Sequence, residues 1–298
     1  MDTEKQARGK LILCPTPIGN LGDITERTLA ALRDADIIAA EDTRNTLRLL
    51  NHFDIHTPMT SYHEHNKYEK ADELVSKILS GQMIACVTDA GTPGISDPGE
   101  ILVKKAVEAG AEVTSLPGAT AFVTALTVSG LPCGRFVFEG FLPTEKKERR
   151  IRLDQIKSET RTVILYEAPH RLKETLKELK DALGSKRKTA ICRELTKIHE
   201  EILRLTLEEA CAYHEVNEPR GEYVLVIEGK SEAEAEAERK KVFEDMTIAE
   251  HVAMYEEKGA DHKEAMKQTA VDRGIPKREV YNALIEERER DKTDGGKI

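Results

Sequence analysis

The chain contains no tryptophan, and aromatic residues make up only 4% of its 298 residues. A protein that stacks single-stranded bases on aromatic side chains is therefore disfavoured. No apolar run approaches about 18 residues and the first residues are polar, so we expect neither a membrane span nor a signal peptide. The net charge of -9 argues against non-specific coating of nucleic acid, although it allows a local basic face.

Several familiar motifs are also missing. The five cysteines form no C-x-x-C pair, and the simplest interpretation is buried free thiols in a reducing cytoplasm. No G-x-x-x-x-G-K-[ST] occurs, no G-x-G-x-x-G follows the first strand, and no G-x-S-x-G is present. These absences argue against a P-loop, the usual dinucleotide fingerprint and a nucleophile elbow.

The most informative stretch is Ile84–Gly99, which reads I-A-C-V-T-D-A-G-T-P-G-I-S-D-P-G. Its apolar start predicts a buried strand, and the glycines and prolines that follow exclude both helix and strand. Ser96 and Asp97 are suitable N-cap residues for a helix over 98–109. The connection over 88–98 exceeds the usual length of about two to six residues, which favours a ligand-binding loop over a tight structural turn.

Two further strand ends have the same character. Residues 15–22 follow a strand over 10–14, and residues 117–121 follow a strand over 112–116. Strands and helices alternate through the first 130 residues, which predicts a parallel sheet whose carboxyl edge gathers the breaker-rich loops. Small side chains leave room for a ligand against the backbone, so we predict a cradle for a nucleoside-containing cofactor.

The second half of the sequence predicts a mixed sheet in an α+β arrangement, with a helix over 170–182. The run K-K-E-R-R-I-R over 146–152 has two interpretations, a solvated helix start or a phosphate-facing patch. The predicted strands cover residues 162–166, 188–193, 200–205 and 222–228.

The segment 58–66 reads P-M-T-S-Y-H-E-H-N and places two histidines on either side of Glu64. A metal site would need further ligands, and nothing nearby supplies a cysteine or another spaced histidine. We therefore predict a polar loop that lines a cleft, and no metal.

The last part of the chain changes character. An Ala/Glu-rich run over 231–241 predicts a linker or an exposed helix, and three short helices follow it. The turn over 272–278 resembles a helix-turn-helix, although small helical bundles show the same pattern. The predicted segments are an N-terminal α/β domain over 1–142, a second α/β domain over 143–230, an acidic linker over 231–246 and a helical appendage over 247–290.

A series of motifs over about 10–229 resembles the ribosomal RNA small subunit methyltransferase I group. That group belongs to the tetrapyrrole-methylase-like, class III, S-adenosylmethionine-dependent methyltransferases. Each motif is weak alone, and the series in register is specific. The motifs are P-T-P-I-G-N-L-G-D, A-E-D-T-R, S-Y-H-E-H-N, D-A-G-T-P-G-I-S-D-P-G, P-G-A-T-A, G-F-L-P, Y-E-A-P-H-R, R-E-L-T-K and G-E-Y-V-L-V-I-E-G.

The resemblance implies two α/β domains with S-adenosylmethionine in the cleft between them. It implies 2′-O-methylation of a cytidine in the decoding region of 16S ribosomal RNA, within the small ribosomal subunit. It also implies a homodimer, which we expect in the cytoplasm. Other branches methylate tetrapyrroles or diphthine intermediates, so methylation of a tetrapyrrole or another small molecule is the alternative. The motifs S-Y-H-E-H-N and E-D-T-R and the appended helices favour the RNA branch.

The chemistry of methyl transfer and the family motifs suggest further site residues. The methyl acceptor must be aligned with the donor, and a base near its hydroxyl would help; Glu41, His63 and Glu64 are the candidates, without a ranking. The expected substrate-binding residues are basic: Arg44, Lys146, Lys147, Arg149 and Arg150. By motif, the cofactor should contact Pro17, Asp89, Ala90, Gly91, Gly94, Ile95, Ala119, Thr120, Tyr166 and Ala168.

Overall fold

The structure is a computed structural model that describes residues 9–231, 233–235, 243 and 246–294. The chain divides into two compact units, the first ending at Glu228 and the second beginning at Gly229. Each unit has its own apolar core. Among the described residues, no helix combines the length and the apolar character that crossing a membrane would require.

The first unit begins with a sheet of five parallel strands in the order β3-β2-β4-β1-β5, as the alternating pattern predicts. Strands β1 and β4 lie at its centre and are almost wholly buried. The strands are β1 (Lys10–Leu13), β2 (Ile37–Ala40), β3 (Met59–Ser61), β4 (Met83–Val87) and β5 (Glu112–Ser115).

Five helices connect or follow these strands. Helix α3 illustrates how the sequence forms a helix with one buried face. Its buried residues Ala71, Leu74, Val75 and Ile78 follow the 3–4 residue spacing that places side chains on one side of a helix. The helices are α1 (Glu26–Asp34), α2 (Thr43–His52), α3 (Lys67–Leu79), α4 (Gly99–Glu108) and α5 (Ala121–Val128).

The segment 58–66 needs a correction. It is not wholly a loop, because Met59–Ser61 forms the edge strand β3, in register with Ile38 to Ala40 of β2. Three residues are too few to show a period of two, so backbone pairing with β2 decides this conformation rather than side-chain pattern.

The second sheet has five strands in the order β6-β7-β10-β8-β9. Its β6–β7 pair is parallel and the others are antiparallel, which confirms the predicted mixed sheet. The sheet comprises β6 (Phe136–Phe141), β7 (Thr162–Glu167), β8 (Lys188–Arg193), β9 (Glu201–Thr206) and β10 (Tyr223–Ile227), with helices α6 (Lys146–Ser158), α7 (Pro169–Leu183) and α8 (Leu207–Val216).

Two features of this half differ from the sequence expectations. Strand β6 pairs with β7, so the chain has already changed sheet before the boundary expected at 142. Helix α8 was not predicted, although Thr206 and Glu209 form a reciprocal capping box at its start.

The second unit contains α9 (Ile248–Glu257), α10 (His262–Arg273) and α11 (Lys277–Asp294). Gly274 ends α10 in the left-handed conformation, at φ 63°, and forms the turn of the predicted helix-turn-helix pattern. His251 is fully buried and accepts a hydrogen bond from Arg273, and burial lowers its pKa, which favours the neutral ring. Most of the expected linker over 231–246 lies outside the described residues.

The cysteines give a test of this packing. Burial raises the pKa of Cys14 to about 12 and that of Cys192 to about 11, and it also raises the pKa of Cys86. Since the thiolate is the reactive form, we expect these three to resist a disulfide reagent in the folded protein. Exposed Cys133 should react quickly and half-buried Cys211 slowly.

Thiol titration with and without denaturant measures this difference. Cys133→Ser should remove the fast phase and leave the rest unchanged. Rapid reaction of a third thiol in the native protein would contradict the packing described above.

Candidate functional site

A cavity of about 480 Å³ lies within the first unit, where loops from the parallel sheet face the mixed sheet. Pockets of about 300–1,000 Å³ are typical of small-molecule sites. The parallel sheet contributes the loops after β1, β4 and β5. The mixed sheet contributes β10 and the ends of β6, β7 and β8.

The loops after β1 and β4 are joined by their backbones. Thr16 and Gly91 exchange two hydrogen bonds, of 2.9 and 3.1 Å between N and O. The Thr16 hydroxyl also donates to the carbonyl of Thr88, at 3.1 Å. Gly91 has φ +84°, a conformation that side chains other than glycine rarely adopt. These contacts fix the backbone along one wall of the cavity.

Asp97 organises the rest of the loop after β4. Its carboxylate accepts from the backbone N–H groups of Gly94, Ile95 and Gly99, at 2.7 to 3.2 Å. The expectation that Ser96 or Asp97 is the N-cap was wrong, because Pro98 holds that position and α4 begins at Gly99. Asp97 instead folds the loop back on itself.

Replacing Asp97 with alanine should therefore loosen the loop. Three N–H groups lose their acceptor, at a cost of about 1–3 kcal/mol in stability. We expect a lower melting temperature and cofactor affinity reduced by roughly tenfold or more, measured by scanning and titration calorimetry. Asp97→Asn retains one acceptor oxygen and should lose less, whereas full affinity in the alanine variant would contradict this role.

Asp89 places a carboxylate in the cavity. Its oxygens accept from the Asp42 backbone N–H at 3.1 Å and from the Asn45 amide at 3.3 Å. Burial, followed by the nearby charge of Glu41, raises the pKa of Asp89. A cation or a hydroxyl donor that approaches Asp89 would therefore stabilise its carboxylate.

Glu41 also lines the cavity, after β2. Its Oε2 accepts a short hydrogen bond of 2.6 Å from the Thr88 hydroxyl and lies 3.4 Å from the Asp89 amide nitrogen. Its other oxygen, Oε1, forms no hydrogen bond with another described residue and is therefore available to a ligand.

The mixed sheet provides an aromatic wall. Tyr166 contacts Phe138 and Phe141 edge-on, with ring centroids 5.0 and 5.6 Å apart, and Phe138 stacks on Phe122. Burial raises the pKa of Tyr166, so its phenol is neutral near pH 7. Phe141 remains 52% exposed and lines the cavity, which leaves it free to contact a ligand.

The structure brings together most of the residues expected to contact the cofactor. Pro17 and Ala119 line two neighbouring cavities instead, and Gly94 is not among the lining residues and donates its N–H to Asp97. The expected residues that line the cavity are Asp89, Ala90, Gly91, Ile95, Thr120, Tyr166 and Ala168.

Of the three candidate bases, the structure places only Glu41 in the cavity lining. Glu64 points its carboxylate at Lys67. His63 is half-buried, and its Nδ1 has no partner among the described residues. No cluster of metal-ligating side chains occurs in the part of the chain that the structure describes.

The basic candidates separate into two kinds. Lys146, Lys147 and Arg150 are exposed on α6, and Arg44 is exposed but paired with Asp42 at 2.7 Å. Arg149 needs a correction, because it is buried and its guanidinium binds Glu178 and Thr175. It holds α6 against α7 and is not available to a phosphate.

Sequence reasoning missed much of the wall formed by the mixed sheet. The breakers and charges after β7 were visible in Y-E-A-P-H-R, but which face of β10 is turned to the cavity depends on the sheet order. Glu167 lines the wall with both oxygens already occupied by Ala168, Arg171 and Thr175. The lining residues missed are Ile18, Thr88, Thr92, Ser96, Ala121, Phe141, Glu167, Pro169, Cys192, Leu195, Glu222, Tyr223 and Val224.

Comparison with solved structures identifies the fold. The crystal structure of diphthine synthase matches with a TM-score of 0.61 and 15% identity, over 74% of this chain and 90% of that one. A uroporphyrin-III C-methyltransferase from Thermus thermophilus, solved with S-adenosylhomocysteine, matches with a TM-score of 0.53 and 18% identity, over 73% and 97%. This chain therefore shares the two-sheet α/β fold of these enzymes.

Sequence comparison is more specific. The model of the tetrapyrrole (corrin/porphyrin) methylases matches residues 10–211. The ribosomal RNA small subunit methyltransferase I of Halalkalibacterium halodurans is 49% identical over 95% of this chain and 97% of its own length. The enzyme of that name from Bacillus subtilis is 48% identical over 94% and 95%. The chain belongs to the tetrapyrrole methylase family, and within it to the ribosomal RNA small subunit methyltransferase I group.

The chain is thus a methyltransferase that depends on S-adenosylmethionine. The cavity fits that cofactor. A Cβ added to Gly91 would lie 3.3 Å from the Ile18 side chain and 3.6 Å from the Ala119 carbonyl oxygen. The absence of a side chain at Gly91 therefore leaves space beside the backbone at this point of the wall. Asp89 offers a carboxylate to hydroxyl or cationic groups, and Tyr166 and Phe141 offer apolar rings.

Proposed function

We propose that this enzyme transfers a methyl group to the ribose 2′-oxygen of a cytidine in the decoding region of 16S ribosomal RNA. Support comes from the 49% identity, over 95% of the chain, to a relative named as a ribosomal RNA small subunit methyltransferase. The cavity adds a chemical argument, because a carboxylate and a bare backbone wall suit a nucleoside cofactor with a cationic centre.

In the proposed site, the residues lining the cavity hold the cofactor. S-adenosylmethionine supplies an activated methyl group on its sulfonium. The backbone at Ala90 and Gly91 forms the close wall, and Asp89 accepts hydrogen bonds or faces positive charge. The rings of Tyr166 and Phe141 exclude water from the opposite side. Most of the rate enhancement then comes from positioning, for which the rigid contacts of Thr16 and Asp97 prepare the loop.

We propose Glu41 as the base for the ribose hydroxyl. Thr88 holds one carboxylate oxygen of Glu41, and Glu41 lines the same cavity as Asp89. A positioned carboxylate that takes the 2′-hydroxyl proton would leave the ribose oxygen more nucleophilic.

The protein is acidic overall, so RNA binding must depend on local basic patches and on the shape of a folded particle. We propose Arg44, Lys146, Lys147 and Arg150 as phosphate contacts.

The proposed substrate is the assembled small ribosomal subunit. We propose that the active form is a homodimer and that it works in the cytoplasm. We also propose domain boundaries at 142, 230 and 246, with β6 as a strand that the N-terminal domain contributes to the second sheet.

One assay tests the proposal. The enzyme is incubated with methyl-labelled cofactor and unmodified small ribosomal subunits, and the label is mapped by nuclease digestion. We expect one labelled cytidine ribose in the decoding region, and little label on naked RNA. Efficient labelling of a tetrapyrrole with none on the subunit would overturn the proposal in favour of a small-molecule methylase.

A further inference from the structure

A second cavity, of about 330 Å³, adjoins the first, and the two share Thr88 and Asp89 as lining residues. Its walls come from the loop after β1 and from one side of α2. The two cavities therefore meet at the end of β4, where Asp89 presents its carboxylate. The lining residues of the second cavity are Thr16, Pro17, Gly19, Leu21, Asn45, Thr46, Arg48, Leu49, His52, Thr88 and Asp89.

Helix α2 turns one face toward this cavity. Asn45, Arg48, Leu49 and His52 follow the spacing i, i+3, i+4 and i+7, which puts them on one side of a helix. The amide of Asn45 donates to Asp89 at 3.3 Å, so this face is tied to the wall shared with the first cavity.

The charges on this face differ from those elsewhere on the helix. Arg44 is paired with Asp42, with 2.7 Å between nitrogen and oxygen. Arg48 is exposed, and among the described residues no carboxylate forms an ion pair with it. Asp89, at the shared wall, is the one acidic side chain in the described lining. A guanidinium with no ion-pair partner among the described residues and the His52 ring therefore line this cavity, and its one carboxylate in the described lining lies at the wall shared with the first cavity.

We propose that this second cavity is the acceptor subsite, and that it binds one phosphate-bearing nucleotide of the RNA chain. Arg48 holds the phosphate with charge-assisted hydrogen bonds, and the His52 ring adds a second donor. Leu21 and Leu49 give the base an apolar surface. The sugar then lies toward the wall formed by Thr88 and Asp89, where the two cavities meet. This assignment rests on the proposed function and names the residues that position its substrate.

Arg48→Gln tests the assignment, with Arg48→Lys and Arg27→Gln beside it. Lysine keeps the charge, and Arg27 is an exposed arginine on α1 that lines neither cavity. We measure methylation of unmodified small subunits over a range of salt, and cofactor affinity by titration calorimetry. The glutamine variant should raise KM for the subunit roughly tenfold and flatten the logarithmic salt dependence by about one. Its kcat and cofactor affinity should stay near those of the native enzyme.

The outcomes separate this inference from the proposed function. If the native enzyme labels the subunit but Arg48→Gln behaves like Arg27→Gln, the subsite is wrong and the function stands. If Arg48→Gln loses cofactor affinity, the second cavity belongs to the cofactor site and the inference fails. If the native enzyme does not label RNA, the proposed function itself fails. Recovery of the salt dependence in Arg48→Lys would support a phosphate contact over a structural role.

Discussion

Gly91→Val should weaken cofactor binding by about 100-fold or more. The residue has φ +84°, which a β-branched side chain cannot adopt without strain, and its new atoms would meet Ile18 across a 3.3 Å gap. The strain would also disturb the paired hydrogen bonds with Thr16 that hold the cavity wall. Titration calorimetry with S-adenosylmethionine measures the effect directly.

Gly110→Val is the matched control. Gly110 also has positive φ, at +73°, but an added Cβ there would meet nothing within 4 Å. Both variants should lose stability through backbone strain, as thermal unfolding will show, whereas only the Gly91 variant should lose the cofactor. Equal affinity of the two variants for S-adenosylmethionine would show that the wall at Gly91 is not part of the binding site.

Glu41→Gln should reduce kcat by about 10²–10⁴-fold, the usual contribution of a general base. The amide is nearly isosteric and can still accept from the Thr88 hydroxyl, so the geometry and the cofactor affinity should change little. The amide cannot take up the ribose proton, so the methyl-transfer step itself should be slowed. Single-turnover methylation of small subunits at saturating cofactor measures this rate, and titration calorimetry checks the cofactor affinity.

Glu64→Gln is the comparison that the structure provides. Glu64 comes from the motif S-Y-H-E-H-N but lies outside the cavity lining and pairs with Lys67. Its loss should leave kcat within about twofold, as for most exposed ion pairs. If the Glu64 variant is the inactive one, the base has been misassigned.

The parallel sheet could be predicted because its signals are local. Apolar runs such as Ile84–Val87 are short, buried on both faces and followed at once by glycine and proline. Because the carboxyl ends of parallel strands lie at the same edge of a sheet, the loops after β1, β4 and β5 could be placed together without any knowledge of distances. The expected residues Asp89, Gly91 and Thr120 line one cavity for this reason.

The remaining parts depend on contacts between residues far apart in sequence. Arg149 looks like one more cation in a basic run, and only the approach of Glu178 and Thr175 on α7 makes it a buried partner. The role of Asp97 was misread for a related reason. Its position before a helix suggests a cap, whereas the loop geometry offers it three N–H groups at once. The proposed acceptor subsite could not be predicted from the sequence either, because it depends on which face α2 turns toward the loop after β1.

The position of Tyr166 has a practical consequence. The chain has no tryptophan to accept excitation energy from its seven tyrosines, so tyrosine emission dominates its intrinsic fluorescence. Tyr166 stands in the wall of the proposed adenosyl site, beside Phe141. Ligand occupancy should therefore be visible as quenching near 300 nm, and Tyr166→Phe would remove that component. Binding could then be followed optically in the unlabelled protein.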